Sequence, residues 1–274
     1  MSAPNSMTAV VRRRAHIGPL LRDWRQLRRM SQLDLALEAG VSAKHLSFIE
    51  TGRARPSAQM VLRLADHLDV PLRDRNQLLL AAGYAPIYGQ RGLDDPEMGT
   101  VRATLELILR SHDPYPAVVV ERHWGIVTAN HAFNLLTEGA APKLLEPPVN
   151  VLRLALHPQG LAPRILNFAE LRATLLLWLR RQTASTGDPA LQALYDELIQ
   201  LPDGEPLPQE PNREEVAVPL RIRCSDSVLS FISTITTFAR ATDITIAELS
   251  IESFYPTDAS TAEALRAFAA TCPS

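Results

Sequence analysis

Between residues 17 and 83, apolar positions recur at helical spacing in short blocks separated by tight joints. Ile17, Leu20, Leu21, Trp24 and Leu27 mark a first helix. Ser31, with Asp34 three residues on, resembles a capping box that opens a second helix ending at Gly40. The stretch "VSAKHLSFIETGRARPS" predicts a third, shorter than three turns. Ser42 is its N-cap, Val41 is poised to staple onto Leu46, and Gly52 suits the left-handed position past its end. At 100° per residue Leu46 and Ile49 share an inner face, while Lys44, Ser47 and Phe48 point outward. Ser57 caps a fourth helix with the stripe Val61, Leu64, Ala65 and Leu68, and Pro71 starts a fifth that runs to Gly83.

The pattern then changes. "GYAPIYGQRGLDDPEMG" loses periodicity and gathers Gly and Pro, as a linker does. Strands are predicted at 117–121, 125–129, 216–224, 228–238 and 246–255, from β-branched runs and from the strict alternation of Val216 to Cys224. Helices are predicted at 162–184 and 188–200. A strand pair, then helices, then three strands is an α+β order, so the fold class is multidomain: an all-α five-helix domain followed by an α+β domain. The expected divisions are a flexible basic arm (1–15), the helical domain (16–84), a linker and connecting helix (85–112), the α+β domain (113–257) and a C-terminal helix or tail (258–274).

Composition changes this picture in one respect. The net charge of −2 divides into 13 Lys+Arg against 7 Asp+Glu over residues 1–90, and 15 against 23 over 91–274. A +6 first third on a −8 body points to a polyanion partner for the first third alone, the alternative being a plain solvated helical surface. No apolar run is long enough to span a bilayer, and Met1–Thr8 lacks the apolar core of a secretory signal, which implies a cytoplasmic protein with no membrane partner. Cys224 and Cys272 have no metal-type spacing, so no metal site is expected. Phosphate-loop, H-E-x-x-H and G-x-S-x-G motifs are absent, and Cys224 alternates onto the apolar face of a strand, so neither an enzyme nor an obligatory cofactor is expected.

Two short helices joined by a Gly-containing turn, "SQLDLALEAGVSAKHLSFIETG", match a helix-turn-helix unit, whose second helix enters the DNA major groove. Lys44 is suited to guanine acceptors; Phe48 is suited to a thymine methyl, or to packing on another protein element. Gln32, the "EAGVS" joint and "IETGRARPS" together resemble the Cro/repressor (XRE) class over residues 16–83. The resemblance implies that Gln32 binds backbone phosphate and braces the recognition helix, and that Ser42, Ala43, Lys44, Ser47 and Phe48 face the groove. It further implies that Arg53 and Arg55 meet phosphates. Arg25 and Glu50 match a family ion pair between the first and third helices, with Arg25 as a further phosphate-facing arginine the alternative. One such unit has little interface, so a homodimer on a two-fold site in double-stranded DNA is expected.

"DPYPAVVVERHWGIVTANHAF", "PPVNVLRLALHPQGLAPRILN" and "SFISTITTFARATDITIAELSIESFYP" resemble the MmyB-like ligand-binding domain. The resemblance implies a PAS-like five-stranded antiparallel sheet with helices on one face and a small-molecule effector, fatty-acyl or otherwise largely apolar. Trp124, Asn130, His131, Asn150, Arg153, His157, Arg164 and Asn167 are its polar or aromatic candidates, with helix capping and core packing as the alternatives. Arg164 is the expected anchor for an anionic headgroup. The expected cavity has Val118, Val218 and Ile251 on its floor and Leu166, Phe168 or Trp178 on its roof. The sequence thus predicts a DNA-binding regulator modulated by an apolar ligand. The alternative is a DNA-binding adaptor whose PAS-like body only dimerises.

Overall fold

The computed structural model describes residues 16–202, 218–224 and 227–271. The expected basic arm over 1–15, strand positions 216–217 and the last three residues lie outside them. The chain divides into two compact units between Gly89 and Gln90.

The first unit holds five helices: α1 (Ile17–Leu27), α2 (Gln32–Glu38), α3 (Ala43–Glu50), α4 (Ala58–His67) and α5 (Leu72–Ala81). Ser31 and Asp34 form both bonds of the capping box; Ser42 accepts from the His45 amide and Ser57 from that of Met60. Gly40 and Gly52 take the positive φ that ends α2 and α3. One core unites Leu21, Leu35, Leu46, Ile49, Leu64, Leu68 and Leu78. Gly18 brings α1 against the end of α3 so closely that a Cβ there would lie 2.4 Å from the Glu50 carbonyl oxygen.

In the second unit, α6 (Gly99–His112) precedes a five-stranded antiparallel sheet of order β2-β1-β5-β4-β3. The strands are β1 (Ala117–Val120), β2 (Ile126–Ala129), β3 (Leu220–Cys224), β4 (Ser227–Thr237) and β5 (Ser250–Pro256). Helices α7 (Phe133–Thr137), α8 (Val151–Leu156), α9 (Phe168–Thr186), α10 (Pro189–Ile199) and α12 (Ala259–Thr271) contribute to the main core, with Val118, Val120, Ile222, Phe231 and Phe254 from the strands. The alternate residues Ala117, Val119 and Ile251 pack with Leu105 and Leu109 of α6, so the opposite face is partly covered too. Val118 and Ile251, expected on one cavity floor, therefore face opposite sides of the sheet.

The strand expected at 216–224 begins at Leu220, with Val218 and Pro219 outside it, and two further expected elements differ. The helix predicted at 162–184 is a 3-10 turn (Ala162–Arg164) and then α9, because Ile165 bridges to Ile222 and the Leu166 amide donates to the Arg221 carbonyl. Leu166 is left exposed and roofs nothing. The strand predicted at 246–255 begins four residues later. Asp243 caps the short helix α11 (Ile244–Ala247) by accepting from the Thr245 amide, and this local cap overrides the β-branched run. Trp124 sits at φ 69°, a conformation unusual for a large side chain. Its ring is buried edge-on to Trp178 at 4.6 Å, and its indole N–H donates to Gln182.

Candidate nucleic-acid interface and effector domain

The short helix α3 is held from below by one carboxylate. Glu50, its side chain fully buried, accepts from Arg25 Nε at 2.7 Å and Arg25 Nη2 at 3.0 Å. Gln32 Nε2 donates at 2.7 Å and Arg22 Nε at 3.4 Å. Arg25 also donates to the Met30 carbonyl, closing the joint between α1 and α2. Burial alone would raise the Glu50 pKa, but the hydrogen bonds from Arg25, Gln32 and Arg22 outweigh it and hold the group below its ordinary value. Three helices are thereby fixed at the C-terminal end of α3.

Above this base, Ser42 and Lys44 are exposed, while Ala43, Ser47 and Phe48 are half-buried. The Lys44 ammonium lies 5.8 Å from the Phe48 ring centroid, so the two side chains form one surface feature and not two. Gln32 faces Glu50 with its amide nitrogen, which supplies the brace. Arg53 is exposed beyond the helix. Arg55 departs from the expectation: its guanidinium donates to the Ala82 and Gly83 carbonyls and lies over the Tyr84 ring. It ties the loop after α3 to the end of α5 through Nε and Nη2, a structural role the sequence did not suggest. Arg22 was not singled out in the sequence; its i, i+3 spacing from Arg25 on α1 was the available signal. A groove of about 750 Å³ lies beside the same loop, among Ile17, Leu20, Pro56, Leu80 and Tyr84.

In the second unit the expected polar candidates do not converge on one cavity. Asn130 accepts from the Ala117 amide and donates to Asp113 and to the Tyr115 carbonyl. Asn150 caps α8 and donates to the His123 carbonyl. Arg153 makes a two-pronged pair with Glu197, both distances 2.7 Å. His157 accepts from the Gln159 amide within its own loop, Asn167 donates to the Pro219 carbonyl, and His131 stacks on Phe268. Arg164 is not a free headgroup anchor. It donates to the carbonyls of Arg223, Leu136, Glu138 and Leu135 and to Cys224 Sγ, pinning β3 to the end of α7. Phe168 and Trp178 are half-buried against the main core, and Val218 is half-buried outside β3. The buried Cys224 thiol is pushed up by desolvation, which disfavours its thiolate.

The chain between the units is held at both ends. Asn76 accepts from the Ile87 and Tyr88 amides and donates to the Tyr88 carbonyl, fixing that end to α5. Arg91 pairs with Asp243 at 3.1 Å and Glu97 at 2.7 Å, and its carbonyl accepts from Thr245.

A capped recognition helix on a buried carboxylate, joined to an α+β body, defines a DNA-binding transcription regulator of the XRE helix-turn-helix type. Residues 21–74 match the helix-turn-helix family model, and 101–268 match that of the MmyB-like transcription regulator ligand binding domain. The second match spans more than half of the chain, which belongs to that family. No curated protein matches it. Among solved structures, the clp gene regulator ClgR from Corynebacterium glutamicum is 22% identical, covering 36% of this chain and 87% of its own, with a TM-score of 0.23. The SinR protein/SinI protein complex is 25% identical, covering 35% and 76%, with a TM-score of 0.20. No helix among the described residues is long and apolar enough to cross a membrane, and no group of side chains among them has the make-up of a metal site.

Proposed function

We propose that this regulator reads specific DNA through α3 as a cytoplasmic homodimer, and that a small, largely apolar effector of the fatty-chain class modulates that binding through the second unit. The observation that carries the first part is the construction of α3: capped at Ser42, seated on Glu50, and presenting Ser42, Ala43, Lys44, Ser47 and Phe48 on one side. Gln32 and Arg53 are the phosphate contacts in this reading. The second part is supported by the family match. An effector that binds two states of the protein unequally shifts the DNA-binding fraction.

Selection of bound duplexes from a randomised pool tests the readout. The enriched sites are expected to be two-fold symmetric, with half-site centres about 34–36 Å apart or a multiple of it. Lys44→Ala is expected to relax preference at one base pair by about 1–3 kcal/mol. Arg53→Ala is expected to weaken all sites about equally and to lower the salt slope by about 1. An unchanged ranking of sites with Lys44→Ala would remove Lys44 from the groove. A second reading, the body as a dimer module alone, draws on the polar candidates being consumed by protein partners.

A further inference from the structure

All five helices of the first unit are followed by a residue with positive φ. Gly40, Gly52 and Gly83 fill that position after α2, α3 and α5, at φ of 65°, 73° and 84°. Glycine suits it because there is no Cβ to crowd the neighbouring carbonyl. Asp69 fills it after α4 at φ 46°, and aspartate is among the few side chains that visit this conformation. Arg29 fills it after α1 at φ 56°. Its amide donates to the Gln26 carbonyl and that of Met30 to the Arg25 carbonyl, so backbone bonds alone close this helix end. A long cation here carries a conformational cost that glycine avoids at three of the other four ends.

The other arginines of α1 and its end are committed inside the unit. Arg25 holds Glu50 and the Met30 carbonyl, and Arg22 Nε reaches Glu50 at 3.4 Å. Arg28 donates to the Leu68 and Asp69 carbonyls and lies over the Trp24 ring. Arg29 is exposed, and among the described residues no hydrogen bond, ion pair or ring contact takes up its guanidinium. Its place in the fold is fixed nonetheless. One Arg25 guanidinium binds both the Met30 carbonyl and Glu50, each at 2.7 Å, which holds this joint against the base of α3. Gln32, a phosphate contact in the proposed reading, follows three residues on, no more than about 11 Å along the chain. A strained conformation that local packing does not call for points to the side chain as the reason.

We propose that Arg29 is a further DNA contact, which meets a backbone phosphate beside the one at Gln32 and reads no base. This rests on the reading that α3 docks in the major groove, and it adds a positioning residue to that interface. A guanidinium on a phosphate oxygen fixes the register of the protein on the duplex and carries no sequence preference. The chain gives up some stability at this turn and gains a cation at the DNA boundary.

The test follows the affinity of the full chain for several of its selected duplexes across a salt series, with hydrogen exchange of the first unit alongside. Arg29→Gly is expected to raise protection at the end of α1, because the strain is relieved, yet to weaken every duplex about tenfold. Its salt slope is expected to fall by about 1 per bound chain. Arg29→Asn, also at home in this conformation, is expected to lose the same, and Arg29→Lys to keep most of the slope. Asp69→Gly relieves the matching strain after α4 without removing a cation, and is expected neither to weaken binding nor to lower the slope. A better-protected Arg29→Gly with unchanged affinity and slope would overturn the assignment, as would a loss confined to some of the duplexes. So would an equal loss in Asp69→Gly, which would trace the effect to the backbone. If Arg53→Ala lowered the slope and Arg29→Gly did not, Arg29 alone would leave the interface; if neither did, docking through α3 would fall with it.

Discussion

Glu50→Ala is expected to destabilise the DNA-binding domain by about 3–5 kcal/mol, the scale for breaking a buried ion pair on one side. The substitution leaves Arg25 without its bidentate partner and strands the Gln32 amide. It therefore loosens α1, α2 and α3 together. Hydrogen exchange followed by peptide mass is the suitable readout, because it separates the first unit from the second. Protection is expected to fall across α1 to α3 and to hold in the sheet. The same pair implies an acid sensitivity. The Glu50 pKa is lower folded than unfolded, so its contribution is fully present at neutral pH and is lost as pH falls through the folded value. Wild type and Glu50→Ala are thus expected to converge in stability only at pH below the ordinary carboxylate range.

Arg164→Ala carries the second large effect, in the other unit. Its guanidinium serves the Arg223 carbonyl at the end of β3 and the Leu135, Leu136 and Glu138 carbonyls at and beyond the end of α7. Hydrogen bonds from a charged donor contribute about 1.5–3 kcal/mol each but do not add, so a total near 3 kcal/mol is expected. Exchange is expected to quicken at β3 and α7 while α1 to α5 stay protected. Arg164→Lys is expected to recover only a small part, because a point charge cannot fork across carbonyls on separate segments. A neutral result for Arg164→Ala would return this side chain to the list of ligand anchors.

The parts of the fold that were legible in the sequence are those set by local chemistry. Ser31, Ser42 and Ser57 mark helix starts because a hydroxyl must satisfy free amides there, and Gly40 and Gly52 mark ends that need positive φ. Alternation marked β3 because one face is buried and the other is wet, and a β-branched run marked β4. Tertiary partners left no such trace. Nothing near Arg164 in the chain announces the distant carbonyls that occupy it, so it reads as a free cation, and nothing near Arg55 announces its tie to the end of α5. The break at 165–167 depends on pairing with β3, more than fifty residues away, and the apolar periodicity runs through it.

A small molecule held by the second unit is expected to change DNA binding by the first. The most direct test measures the affinity of purified chain for its selected duplex before and after denaturation, washing and refolding. Mass spectrometry of both samples shows what was removed. Loss of a co-purifying apolar molecule and a shift in duplex affinity are expected, reversed when the wash is added back. Identical affinities, with no molecule lost and the same oligomeric state, would contradict it and leave the body as a dimer module.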